Sequence, residues 1–130
     1  MVTLGRSIRV KDMLLLPNGE RLRVDVDVEA NLLPLNAALC TCTKAAQEFV
    51  NSPQGDAEKA VFYDAFTGYV RAVLGNAGYD KALAAYDGHA DELCNQLNDW
   101  LAEEVAPKIT QASQKRLRNL QRIARRRFGK

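Results

Sequence analysis

Two hydrophobic periods divide this chain. From Arg21 to Val28 apolar and charged residues alternate strictly, with Leu22, Val24, Val26 and Val28 on one face and Arg21, Arg23, Asp25 and Asp27 on the other. That period of two predicts a half-buried strand. Pro17-Asn18-Gly19 just before it predicts a three-residue hairpin loop: proline suits the first central position of a type I turn, and glycine suits the left-handed residue of a G1 bulge. Such a loop pairs Leu16 with Glu20 and brings Ile8, Val10, Leu14 and Leu16 onto the apolar face. Lys11 then lies opposite Asp25, and Arg9 opposite Asp27. A two-residue Asn-Gly loop would slip the register by one and put Lys11 opposite Val26, which the buried-face rule disfavours. A lone hairpin is marginal in water, so this one must cover its apolar face.

Beyond Asn31 the period becomes helical. Pro34 is expected at a first helical position, and Leu35, Ala38, Leu39, Cys42, Ala45, Ala46, Phe49 and Val50 form one stripe. Asn51-Ser52-Pro53 should end this helix. Asp56 is expected to N-cap the next, which carries Val61, Phe62, Ala65, Phe66, Tyr69, Val70, Val73 and Leu74 inward until Gly75-Asn76-Ala77-Gly78 stops it. A short helix is expected within Tyr79 to Tyr86. Asp87-Gly88 punctuates the chain and is placed to cap the last long helix, from about His89 to Ala106, with Ala90, Leu93, Cys94, Leu97, Trp100 and Leu101 inward. Pro107 should kink that helix or start another. Ile109, Ala112, Leu117, Leu120, Ile123 and Ala124 continue as a thin apolar seam.

Charge changes the picture most at this end. Residues 1–107 hold nine basic residues and all 16 acids, a net −7; residues 108–130 hold nine basic residues and no acid, a net +9, which the overall +2 conceals. The basic residues are Lys108, Lys115, Arg116, Arg118, Arg122, Arg125, Arg126, Arg127 and Lys130. A helix this basic calls for a polyanionic neighbour: its own acidic body, a partner protein or a nucleic acid. Lys115, Arg118, Arg122, Arg125 and Arg126 are the candidate partner-binding residues. The spacing of the arginines suits phosphate neutralisation. The acidic body, and the lack of a recognition helix or aromatic platform, weigh against nucleic acid.

Candidate chemistry adds little. No Walker-type loop or GxGxxG occurs, and the acids fall mostly on polar faces, so no catalytic residues, no cofactor and no metal site are assigned and the chain is read as a non-enzyme. Cys40 and Cys42 stand two apart on a helix, where a disulfide is geometrically unfavourable; with Cys94 they are expected as buried small hydrophobes. His89 is expected exposed in a first helical turn. Trp100 is expected in the core, with its indole N–H on a carbonyl or water. No apolar run is long enough to span a membrane, and residues 1–9 lack a signal-peptide core, so the expected location is the cytoplasm.

Phe62-Tyr63-Asp64-Ala65-Phe66, Ala72-Val73-Leu74-Gly75-Asn76-Ala77-Gly78-Tyr79-Asp80-Lys81-Ala82-Leu83, and then Cys94 and Trp100 in a final helix, resemble small phage and prophage tail proteins of Gram-positive bacteria. That group, tail-assembly-chaperone-like or uncharacterised, has an N-terminal hairpin, an acidic-aromatic helix ending in a glycine turn, a short Lys-containing helix, and a helix with a central Cys. The resemblance covers about residues 62–101. Leu74 stands where the group has an aromatic, and only Gly88 remains of its second glycine pair. It implies a protein that holds another chain, such as a tape-measure protein, before assembly, in the host cytoplasm if phage-encoded. It carries no catalytic or cofactor residue.

The expectation is therefore an α+β, mainly α fold: an N-terminal β-hairpin packed on a small helical bundle (residues 1–107), then a basic C-terminal helix (residues 108–130). The expected function is tail-assembly-chaperone-like or structural-interaction; the alternative is a nucleic-acid-binding accessory protein using the basic helix. Unpaired hairpin edges would allow a homo-oligomer by strand addition.

Overall fold

The computed structural model describes residues 1–52 and 55–128, without the side chain of Phe128. Pro53, assigned to the first helix stop, and Lys130, counted in the basic tail, lie outside the described residues.

The fold is α+β and mainly helical. Strands β1 (Arg9–Leu15) and β2 (Arg21–Asp27) form an antiparallel hairpin, followed by helices α1 (Leu32–Asn51), α2 (Asp56–Ala85), α3 (Ala90–Trp100) and α4 (Ala106–Phe128). The hairpin has the register expected from the bulged loop: Arg9 faces Asp27, Lys11 faces Asp25 and Leu14 faces Leu22. Leu16 N–H donates to Glu20 O at 2.8 Å, Gly19 N–H donates to Leu16 O at 3.0 Å, and Gly19 takes the left-handed φ of 87°. Val10, Leu16, Leu22, Val24 and Val28 are buried. They close over Leu32 and Leu35 of α1, Val70, Val73, Tyr79 and Ala82 of α2, and Leu93 and Cys94 of α3 in one core.

The ion pairs on the polar hairpin face differ from the facing pairs. Arg9 alone bridges both acids, with Nε on Asp25 at 3.0 Å and a terminal nitrogen on Asp27 at 3.2 Å. Asp12 interrupts the apolar face. It lies between Val10 and Leu14 and accepts the Trp100 indole N–H at 2.8 Å. Trp100 is thus half-buried, and its partner is a carboxylate instead of the expected carbonyl or water.

Several helix ends also move. Pro34 is the third residue of α1, still within the first turn, where no N–H is needed. Gly55 holds the N-cap position of α2, with Asp56 inside the first turn. The glycine turn acts at Gly75 alone, where φ of 77° and ψ of 165° break α2 into two helical parts. A side chain would be strained at that φ. Asp87 and Gly88 both have positive φ. They close the end of α2, with Gly88 N–H donating to Leu83 O at 2.9 Å, and His89 takes the N-cap position of α3 without a side-chain cap bond. Val50 and Val61, expected inward, are exposed: helical spacing turns them off the centre of their stripes, while their neighbours Phe49 and Phe62 pack together.

The chain does not break at Pro107. α3 and α4 join through a wide turn, Leu101–Val105, in which Ala106 N–H donates to Leu101 O five residues back. Proline lacks an N–H, and its ring crowds the carbonyl four residues before it; a π-type turn immediately upstream accommodates both. The helix therefore carries Ile109 and Ala112 into the same core, each 1% exposed or less. The charge boundary at 107/108 is not a structural boundary.

Candidate functional site: a basic arm and an apolar cleft

α4 runs 23 residues, about 35 Å at the usual rise per residue. Its first half is body. Its second half is an arm, in which every residue from Arg116 to Arg127 is exposed. The transition is marked by Glu29, whose Oε1 receives Lys115 Nζ at 2.7 Å and whose Oε2 receives the Ile8 backbone N–H at 2.6 Å. Both contacts stabilise the charged carboxylate, the lysine foremost, so the Glu29 pKa lies below its ordinary value.

The structure separates the candidate arm residues into two groups. Lys115 is half-buried and engaged by Glu29. Arg118, Arg122, Arg125 and Arg126 are exposed, and among the described residues none of them forms an ion pair. At 3.6 residues per turn these four fall within one sector of about 100°. Leu117, Leu120 and Ile123 occupy the opposite side, at 56%, 54% and 57% exposure. The arm thus has a cationic face and an apolar face. The seam is visible as a spacing in the sequence; that it stops being core after Ala112 is not.

Sequence reasoning missed a cleft of about 280 Å³ in the body, lined by Leu39, Cys42, Phe62, Phe66, Tyr69, Leu101 and Ala102 among others. Phe62 sits between Phe49 and Phe66 with ring centroids 5.5 and 5.4 Å away, which fixes one wall. The wide turn supplies Leu101 and Ala102 on another. The Tyr69 hydroxyl is buried with no hydrogen-bond partner among the described residues; burial, with Cys42 nearby, pushes its pKa far above the ordinary phenol value. All three cysteines are free thiols. Cys94 is buried and near the Thr67 hydroxyl at 3.8 Å, and Cys42 is half-buried, whereas Cys40 is exposed, contrary to expectation, because it lies off the α1 stripe.

His89 is exposed, with its Nδ1 4.0 Å from Glu92. Among the described residues no three His, Cys, Asp or Glu side chains converge as metal ligands, and no helix is long and apolar enough to cross a membrane. Searches against protein-family models, curated proteins and solved structures found no match to this chain.

Proposed function

We propose that this chain is a non-catalytic interaction protein whose arm docks on an acidic surface of another protein. The observation that carries this reading is the two-faced arm: four arginines with no ion pair among the described residues on one side and three exposed aliphatic residues on the other. Phosphate neutralisation needs only the cations; exposed aliphatics beside them are what a protein interface uses. Lys115 drops out of the docking set because Glu29 already holds it. The setting we propose is phage tail assembly, with a tape-measure or other tail protein as the chain held in the host cytoplasm. That part rests on the resemblance of residues 62–101.

The test replaces Arg118, Arg122, Arg125 and Arg126 together with glutamate and measures binding to the purified products of the neighbouring genes. Circular dichroism checks that the body is unchanged. Loss of binding with an unchanged body is the expected result, and full retention removes the cationic face from the function. The second reading, nucleic-acid binding, draws on the same four arginines. It predicts that the native chain binds a labelled DNA duplex with an affinity that falls steeply with salt. Steep, arginine-dependent DNA binding without any protein partner would replace the first reading by the second.

A further inference from the structure

The arm has an exposed apolar face and the body an apolar cleft, yet one chain cannot bring them together. The cleft is walled by Asn98, Leu101, Ala102 and Ala106, which belong to the same continuous helix that carries Leu117, Leu120 and Ile123. The arm points away along that helix axis. Leu120 lies 14 residues past Ala106, about 21 Å further along the axis, so it cannot fold back into the cleft without breaking the helix.

We infer that the cleft receives the arm of a second copy, and that the chain forms a two-fold dimer in which each arm lies in the other's cleft. The inference takes from the proposed function the arm as a docking element, but it uses the opposite face. Charge favours this occupant. Two arms cannot pair with each other, because residues 108–130 contain nine cations and no acid, and like charges at close range repel. A body of net −7 attracts an arm of net +9. Arg116 and Arg127 fall on the apolar side of the arm by helical spacing, and Asp99 and Glu103, both exposed, adjoin the cleft residues Asn98 and Ala102 in sequence. A two-fold arrangement buries both clefts and both apolar faces at once and closes on itself. The cationic face stays outward for the acidic partner.

Size-exclusion chromatography with light scattering tests this on the full chain. At micromolar concentration the expected mass is twice the 14.4 kDa of the monomer. Leu120→Glu, at an exposed arm position, and Ala102→Trp, at the exposed rim of the cleft, should each return it to monomer. Cross-linking adds a positional readout that uses the native Cys42 in the cleft. In a Cys40→Ser background, Leu120→Cys should give a disulfide-linked dimer on oxidation, and that dimer should disappear when Cys42→Ser is added. A monomeric native chain overturns the inference. So does a dimer that survives both Leu120→Glu and Ala102→Trp, which would point to the hairpin edges. A monomer whose arginine face still binds an acidic partner would defeat this inference and leave the proposed function intact.

Discussion

The two halves of α4 have the same period, the same lack of acids and similar aliphatic residues, yet they have opposite fates. Ile109 and Ala112 are core; Leu117, Leu120 and Ile123 are more than half exposed. Helical propensity does not separate them. What differs is the neighbour: α1 packs against the first half, Lys115 reaches Glu29, and beyond it Arg116, Asn119 and Leu120 border an open hollow beside Glu29 and Leu32 while staying exposed. A hydrophobic stripe records a capacity for burial, and the rest of the fold decides how much of it is used. The unused remainder is the candidate site.

The largest test of this contrast compares isoleucines fourteen residues apart on one helix. Ile109→Ala should destabilise by about 2–5 kcal/mol, as for a fully buried aliphatic residue, whereas Ile123→Ala should stay within about 0.5 kcal/mol. Urea denaturation below the dimerisation range measures both; equal effects would erase the distinction between body and arm.

The hairpin gives a parallel contrast between its inner and outer faces. Val24 is 4% exposed on the inner face, so Val24→Asp should cost more than about 3 kcal/mol by burying an unpaired charge. Lys11→Ala should change stability by less than about 0.5 kcal/mol, since Lys11 forms no ion pair among the described residues and exposed charges contribute little. Similar losses from the two would contradict the observed register.

The same residues mark the limits of legibility in the sequence. The strand register is legible from strict alternation at Arg21–Val28 and from a turn with few geometric solutions, both local signals. The stripes of α2 and α3 are legible for the same reason. Pro107 reads as a boundary because proline disrupts an α-helix; the wide turn that absorbs it runs from Leu101 to Val105, both buried in the core, and has no local signature. The Asp12–Trp100 bond joins residues 88 apart, and the Lys115–Glu29 pair joins two ends of the chain; neither has a local signature. Of the candidate arm residues, the spacing identifies the cationic face but cannot show that Lys115 is occupied.

A smaller effect probes the boundary itself. The Glu29 pKa is lowered from its ordinary 4.5, first by Lys115 and then by the Ile8 N–H. Its stabilising contribution is therefore full above about pH 4.5 and is lost as pH falls through the lowered folded value. Glu29→Gln should cost less than about 1 kcal/mol at neutral pH and should lessen the decline in stability below pH 4.5. An unchanged acid limb, followed by thermal melts at several pH values, would show that the pair does not hold in solution.

The central claim is that the folded body ends near Lys115 and that the residues beyond it form a docking element. Truncation after Arg116, compared with truncation after Pro107, tests it most directly, with thermal unfolding of each read under dilute conditions where the full chain is monomeric. The chain ending at Arg116 should melt as the full chain does and no longer bind the acidic partner, while the chain ending at Pro107, stripped of Ile109 and Ala112, should lose roughly 10 °C or more. If both truncations melt alike, or if the chain ending at Arg116 is destabilised as strongly as the other, the division of α4 into body and arm is wrong.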